Sequence, residues 1–375
     1  MRNVVLLILI FLLLGCKSDQ QKLEKTDSIQ TPVEFAKGFE IENFEHYKIL
    51  TILNPWPGSD KSYRYLLKKS DVKIPEEDNF DAIIQLPVRS MVVTSTTHIP
   101  SLEMLEIDQL LTGFPNLDYI SSEKTRTRIE QGHIKELGKN EDINTEVLIE
   151  LNPDVVITFA VEGSNKTVTT IQRTGIPVLY NSDWTETHPL GKAEWIKFFG
   201  ALADKEMLAD SIFSNIKMNY HFARETAKRA ESKPSVLSGA MYKDIWYLPQ
   251  GNSWAAAFIN DANGSYLWKE SEGTGSLSLN LESVLDKGKH ADYWIGPGQF
   301  TSLNQMKEAH SVYEEFEAFQ QGEVYSFTTK KGATGGVLYY ELAPNRPDLV
   351  LKDIIKILHP ELLPDHELHF FSRLE

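Results

Sequence analysis

Alternating signals for strands and helices fill residues 87–180 and constrain the fold more than any other feature. Apolar strand-like runs at 91–94 and 155–159 are each bounded by polar turns, and Leu102, Leu105 and Leu110 form an apolar stripe at helical spacing between them. Strands that alternate with helices pair in parallel, because each crossover returns the chain to the same end of the sheet. The sequence therefore predicts an α/β fold with a parallel sheet.

A stretch without strand signals, residues 189–232, follows this region. Apolar residues recur at helical spacing over 195–202, and Asp204 is a candidate N-cap for a second helix that extends to about Glu231. Such a helix of roughly 27 residues would be about 40 Å long. It could span two α/β regions, although two ordinary helices within one domain would give the same pattern.

Two segments of the chain echo each other. Each begins with Asn at an expected helix start, Asn144 or Asn280, and has Glu two residues later, Glu146 or Glu282. Each continues through an apolar pair and a turn with Asp to a strand. This repetition suggests two similar lobes in tandem, although helix–turn–strand units also resemble one another by chance.

The amino terminus has the organisation of an export signal. A positive lead precedes an apolar run over 4–14, which at roughly 16 Å is too short to cross a hydrocarbon core of about 30 Å. The only cysteine of the 375 residues, Cys16, follows it. Leu-Leu-Gly-Cys resembles the lipobox of bacterial lipoproteins, which implies cleavage before Cys16 and its lipidation. The alternative is an uncleaved anchor with an incidental cysteine.

These signals divide the chain into six parts. We expect a signal peptide at 1–15, a flexible tether at 16–32, a β extension at 33–86, an amino-terminal lobe at 87–188, connecting helices at 189–232 and a carboxy-terminal lobe at 233–375.

Composition and motifs exclude two classes of function. The net charge of −15 is opposite to what nucleic-acid binding requires. The sequence has no G-x-S-x-G, H-E-x-x-H, Walker or Cys-x-x-Cys motif. "SSEK" at 121–124 fits S-x-x-K, a pattern that arises easily by chance, and "HELH" at 366–369 lacks the spacing of a helical zinc pair. We therefore expect neither an enzyme nor a bound cofactor.

Four segments of the chain are "RSMVVTSTTHIPSLEML", "NTEVLIELNPDVVITF", "GNSWAAAFINDANGSYLW" and "LNLESVLDKG". In their order and spacing they resemble the substrate-binding lipoproteins of ATP-driven importers for ferric siderophores, haem and cobalamin. The resemblance implies two Rossmann-like lobes with parallel sheets, joined by a long rigid helix, with the ligand cleft between them. It implies a membrane-anchored lipoprotein of the bacterial cell envelope that faces the periplasm. It also implies docking of Glu146 and Glu282 onto arginines of a permease dimer that works with an ATPase.

Loops after the strands supply candidate ligand residues, because ligands of open α/β sheets bind beyond the carboxyl ends of strands. The candidates are Thr97, His98, Phe159, Trp184, Tyr242, Trp246, Tyr247, Trp254 and Arg346. For each, an ordinary packing or surface role is the alternative. The cargo expected is a small-molecule metal chelate containing iron or cobalt. The alternative function is a two-lobed zinc or manganese transporter lipoprotein, with His98, His133 and His188 as ligands.

Overall fold

The computed structural model describes residues 29–69, 79–163 and 166–375. The predicted signal peptide, Cys16 and most of the predicted tether lie outside these ranges. Within them, no helix combines the length and the apolar character that crossing a bilayer requires.

The first element of the fold is a five-stranded sheet in the predicted β extension. Its strands are β1 (Ile29–Gln30), β2 (Phe39–Asn43), β3 (Tyr47–Leu53), β4 (Ser62–Lys68) and β5 (Ala82–Gln85), in that spatial order. The first four pair antiparallel, and β5 pairs parallel to β4. β2 and β3 form an antiparallel hairpin, in which alternate residues such as Phe39 and Ile41 are buried.

Two buried carboxylates attach this sheet to the rest of the molecule. Glu194 accepts hydrogen bonds from the backbone N–H groups of residues 34–36, at 2.7 to 3.1 Å. Glu186 accepts bonds from the N–H groups of residues 37 and 38 and from the indole of Trp195. Carboxylates that accept several N–H bonds can be buried without leaving their charge unsatisfied.

The amino-terminal lobe contains the predicted parallel sheet. Its strands in chain order are β6 (Met91–Val93), β7 (Leu111–Phe114), β8 (Lys135–Glu136), β9 (Gly138–Lys139), β10 (Asp142–Ile143), β11 (Val155–Thr158) and β12 (Val178–Tyr180). The spatial order is β12-β11-β6-β7-β8, all parallel, and β9 and β10 form a separate hairpin. Nearly every residue of β6, β11 and β12 is buried, because helices cover both faces of such a sheet.

The helices of this lobe are α1 (Ile99–Met104), α2 (Glu123–Glu130), α3 (Thr145–Leu151) and α4 (Lys166–Arg173). The predicted N-cap of α3 is confirmed, since the side chain of Asn144 accepts from the N–H of Val147. The apolar stripe predicted from Leu102 to Leu110 is only partly helical: α1 ends at Met104, and a 3-10 turn follows at Asp108–Leu110.

Three helices connect the lobes: α5 (Pro189–Glu194), α6 (Ile196–Leu202) and α7 (Glu206–Ala227). The long helix is confirmed and unbroken over 22 residues, although it ends four residues before the predicted Glu231. The N-cap prediction was wrong. Asp204 adopts a left-handed backbone with φ 55°, and Lys205 occupies the cap position without a side-chain hydrogen bond.

The carboxy-terminal lobe contains a mixed and an antiparallel sheet. Its strands are β13 (Ser235–Ser238), β14 (Ala240–Tyr242), β15 (Ile245–Pro249), β16 (Ser265–Tyr266), β17 (Ser276–Leu279), β18 (Tyr293–Ile295), β19 (Val324–Ser326) and β20 (Ser372–Arg373). The order β16-β13-β18-β19-β20 is parallel except at the last pair, and β14-β15-β17 is antiparallel. The two sheets part at Gly239, which has φ 78° and lies too close to Tyr247 for any side chain.

The helices of this lobe are α8 (Trp254–Asp261), α9 (Leu281–Gly288), α10 (Leu303–Ala309), α11 (Glu317–Gln320), α12 (Leu338–Leu342) and α13 (Pro347–Leu358). The predicted N-cap Asn280 accepts from the N–H of Ser283, as Asn144 does in the first lobe. Pro347 occupies the first turn of α13, where the N–H that proline lacks has no partner within the helix. The fold is therefore α/β, with two lobes and a long connecting helix.

Candidate functional site

A cavity of about 280 Å³ lies between the two lobes. On the side of the first lobe, its wall is formed by residues 94–96 after β6, by Phe114 and Pro115 at the end of β7, and by Phe159 after β11. These are the carboxyl ends of parallel strands, where the loops diverge and leave a crevice. A cavity therefore lies between the lobes, where the ligand cleft was expected.

The second lobe closes the cavity with α12 and the two residues before it. Gly336, Val337, Tyr340 and Glu341 contribute to this wall. Tyr340 is 49% exposed, and Tyr119 on the opposite lobe is 63% exposed, so both rings are accessible from solvent. Two aromatic side chains from different lobes therefore face a shared space that a flat or rounded ligand could enter.

Glu341 joins the two lobes across one end of this cavity. Its side chain is 1% exposed, and its two carboxylate oxygens accept from the backbone N–H groups of Ser121, at 2.6 Å, and Ser122, at 2.9 Å. Both donors directly precede α2, whose N-cap is Ser122. The carboxylate of one lobe thus binds the backbone at the start of a helix of the other.

The protonation of this group is strongly perturbed. Burial is the main cause, and it raises the pKa of Glu341 from 4.5 to about 7, partly offset by the two N–H bonds. The nearby carboxylate of Glu103, which accepts from the hydroxyls of Ser122 and Thr125, acts in the same direction. Glu341 therefore changes charge near neutral pH.

A second set of polar contacts lies beside the cavity. Thr97 donates from its hydroxyl to Asp183 at 2.8 Å, and its carbonyl accepts from the amide of Asn345 in the other lobe. The ammonium of Lys192 is buried and donates to the carbonyls of Asp183 and Trp184. The predicted residue Thr97 therefore lies at the junction of the lobes, with its hydroxyl already engaged.

A cavity of about 300 Å³ in the second lobe includes two more predicted residues, Tyr247 and Trp254. The ring of Trp254 lies 5.8 Å from that of Tyr339 and 5.3 Å from the ammonium of Lys192. Tyr247 and Trp254 could therefore contact a ligand in this second cavity, and Phe159 could contact one in the cavity between the lobes.

Two predicted ligand residues are buried, and their assignment is corrected. Trp246 has no exposed surface; its indole donates to the carbonyl of Ser238 and stacks on Trp294 at 5.3 Å. His98 is 1% exposed and packs against Phe199 at 5.5 Å. Burial lowers the pKa of His98, so the ring stays neutral. Neither side chain can touch a ligand in the cavity, because both are sealed in packed cores.

The three other predicted ligand residues lie outside the linings of these two cavities. Trp184 is 38% exposed in a 3-10 turn, and Tyr242 is 68% exposed on β14. Arg346 donates two hydrogen bonds of 2.9 Å to Asp348 in the first turn of α13. Its charge is therefore compensated within the protein, as the alternative of a structural pair anticipated.

The two candidate docking residues have equivalent local positions. Glu146 and Glu282 are each the second residue of a capped helix, α3 or α9, and both are exposed. Within the described part of the chain, neither carboxylate has an ion pair or hydrogen bond. Both are available to an external partner.

Sequence reasoning missed Tyr119, Asn140, Tyr340 and Glu341. Asn140 lines the cavity and donates to the carbonyl of Thr94. These residues lie in loops and short elements without hydrophobic periodicity, so no pattern indicated which way they face. The available signal was the aromatic run "LYYEL", which forms α12 and contains Tyr340 and Glu341.

The histidines proposed for the alternative metal site do not converge. Across residues 29–69, 79–163 and 166–375, no three His, Cys, Asp or Glu side chains form a group that could hold a metal ion. His188 instead caps α5, since its Nδ1 accepts from the N–H of Leu190 at 3.1 Å.

A sequence model of one protein family matches residues 91–330, which include the wall that the first lobe gives to the cavity and the connecting helices. Its description is "periplasmic binding protein". The chain belongs to the periplasmic binding protein family. An uncharacterized lipoprotein of Methanocaldococcus jannaschii is 28% identical over 346 residues, covering 86% of this chain and 81% of the relative. The predicted class, a solute-binding protein, is therefore confirmed.

Solved structures support the same fold for this periplasmic binding protein. The periplasmic haem-binding protein HutB of Vibrio cholerae has a TM-score of 0.55 at 16% identity, covering 70% of this chain and 99% of that one. The triscatecholate siderophore-binding protein FeuA of Bacillus subtilis has a TM-score of 0.54 at 14% identity, covering 78% of this chain and 100% of that one. Identities this low establish the architecture alone.

Proposed function

We propose that this periplasmic binding protein captures a metal chelate, such as a ferric siderophore, haem or a corrinoid, and delivers it to an ABC importer. The observation that carries the proposal is the cavity between the lobes, with Tyr119 and Phe159 on one side and Tyr340 on the other. Chelates of this kind are broad and partly apolar, so aromatic walls with a few polar groups suit them. Proteins of the same fold are described as haem- and siderophore-binding.

Titration of the purified protein tests this capture directly. Tryptophan fluorescence would be measured against ferric siderophores, haemin and cobalamin. We expect saturable quenching by one class, because Trp184 is partly exposed and Trp254 lies at the second cavity. Substituting Tyr119 and Tyr340 by Ala should weaken binding, whereas Tyr242→Ala, at an exposed residue outside both cavity linings, should not. Absence of binding to all three classes would contradict the proposal.

Delivery would use the paired glutamates on α3 and α9. Two exposed carboxylates at a fixed separation can pair with arginine forks of a permease dimer, which sets orientation. The expected result of Glu146→Ala with Glu282→Ala is loss of uptake with unchanged ligand affinity. Glu150→Ala with Asp286→Ala, which removes two exposed carboxylates of the same helices, is the matched control. Equal uptake by both double variants would refute docking.

The anchor and the location belong to the same proposal. Lipidation at Cys16 would hold the protein at the cell-envelope membrane, facing the periplasm, within reach of the permease and its ATPase. The relative described as a lipoprotein supports this anchoring. The second candidate, zinc or manganese transport, predicts stoichiometric metal in protein purified without chelator, and metal analysis separates the two functions.

A further inference from the structure

The charges around the cavity limit the class of chelate that it can accept. Among the described residues that line the cavity between the lobes, none is Lys or Arg, and one, Glu341, is acidic. The other polar groups are hydroxyls and one amide, including Thr96, Tyr119 and Asn140. Such groups can bind neutral oxygen atoms, but they cannot compensate a full negative charge.

The cations of the surrounding region are engaged or screened. Arg346 pairs with Asp348, and Lys192 is buried against two backbone carbonyls. Lys139 and Lys331 are near cavity residues in the sequence, but both are solvent-exposed. Water and salt therefore weaken their effect on a charge inside the cavity.

From this arrangement, and resting on the proposed function, we propose that the cargo is an uncharged or cationic metal chelate, and that Glu341 excludes polyanionic chelates. A trianionic ferric triscatecholate would meet the carboxylate of Glu341 without an opposing cation. Its binding would require the carboxylate to take up a proton from the solvent or to leave the N–H groups of Ser121 and Ser122, and either costs binding free energy. A neutral ferric trihydroxamate, whose six oxygens are already neutralised by the metal, avoids this cost.

The full chain is titrated by calorimetry with a neutral ferric trihydroxamate and a trianionic ferric triscatecholate at pH 8, about one unit above the pKa of Glu341, where its carboxyl is mostly ionised. We expect the neutral chelate to bind at least about tenfold more tightly. Glu341→Gln, which keeps the shape but removes the charge, should narrow this ratio several-fold. Glu361→Gln, which removes an exposed carboxylate after α13, should leave it unchanged and controls for net charge.

Three results of these titrations would contradict different parts of the proposal. Tighter binding of the triscatecholate by the native protein would overturn the charge inference and leave chelate capture intact. An equal ratio in native protein and Glu341→Gln would overturn the role of Glu341. Binding of neither chelate would overturn the inference, and the panel that also contains haemin and cobalamin then decides whether the proposed function fails with it. As a second variant, Thr96→Lys adds a cation to the lining and should increase affinity for the triscatecholate selectively.

Discussion

Glu341→Gln should remove a specific pH dependence from the stability of the protein. The native carboxyl is 1% exposed, and burial raises its pKa from 4.5 to about 7. Each pKa unit corresponds to about 1.4 kcal/mol, so above pH 7 the ionised, docked group destabilises the native state by about 3 kcal/mol relative to low pH. Because the folded-state pKa is the higher one, this contribution is fully present below pH 4.5 and is lost as the pH rises through 7.

Denaturant unfolding of native protein and variant at several values from pH 5 to 8 measures the effect. Glutamine cannot titrate, so the free energy of unfolding of the variant, minus that of the native protein, should rise with pH by up to about 3 kcal/mol. Any constant cost of replacing a carboxyl by an amide cancels in this comparison. Glu361→Gln is the control and should follow the native curve.

Amide hydrogen exchange measures the same pH effect at the two backbone groups that contact Glu341. The N–H groups of Ser121 and Ser122 donate to Glu341, so their protection, corrected for intrinsic exchange, should fall as the pH rises in the native protein only. Parallel stability curves together with pH-independent protection would show that the reasoning about this carboxyl is incorrect.

Three further predictions concern packing, attachment and anchoring. Trp246→Ala should destabilise the second lobe by about 3–5 kcal/mol through loss of a buried ring, whereas Tyr242→Ala should change stability by less than about 0.5 kcal/mol; equal losses would contradict the assignment. Glu194→Ala leaves the N–H groups of residues 34–36 without acceptors and removes one carboxylate partner of Lys197, which keeps Asp210, so the free energy of unfolding should fall by about 3 kcal/mol or more. Cys16→Ser should release the protein from membrane fractions, and continued membrane association would refute lipidation.

The features that could be predicted from sequence are those set by local physical chemistry. Asn144 and Asn280 cap their helices as expected, because a short polar side chain before a helix can satisfy a free N–H without any help from tertiary structure. Pro347 begins α13 for a similar local reason. The alternation of strands and helices predicted the parallel sheet, since the connection between parallel strands needs a crossover.

Local signals failed where long-range packing decided the outcome. Asp204 has a good capping side chain but lies in a left-handed turn, where Lys48 in the amino-terminal sheet forms a salt bridge to it. Trp246 and Tyr247 are adjacent in one strand, yet one is fully buried and the other is 39% exposed. Neighbouring side chains of a strand point to opposite faces of the sheet. The sequence could not show which of the two rings is buried, because that depends on which face of the sheet is packed against the core.

The sequence by itself determined the class of fold, the capped helix starts that present Glu146 and Glu282, and the length of the connecting helix to within a turn or two. Only the tertiary structure decided which side chains line the cavity, because these come from Tyr119 and Asn140 in one lobe and Tyr340 and Glu341 in the other. Residues more than two hundred positions apart meet there through the docking of the lobes. The ionisation of Glu341 near neutral pH likewise depends on burial against Ser121 and Ser122, which no local pattern in the chain encodes.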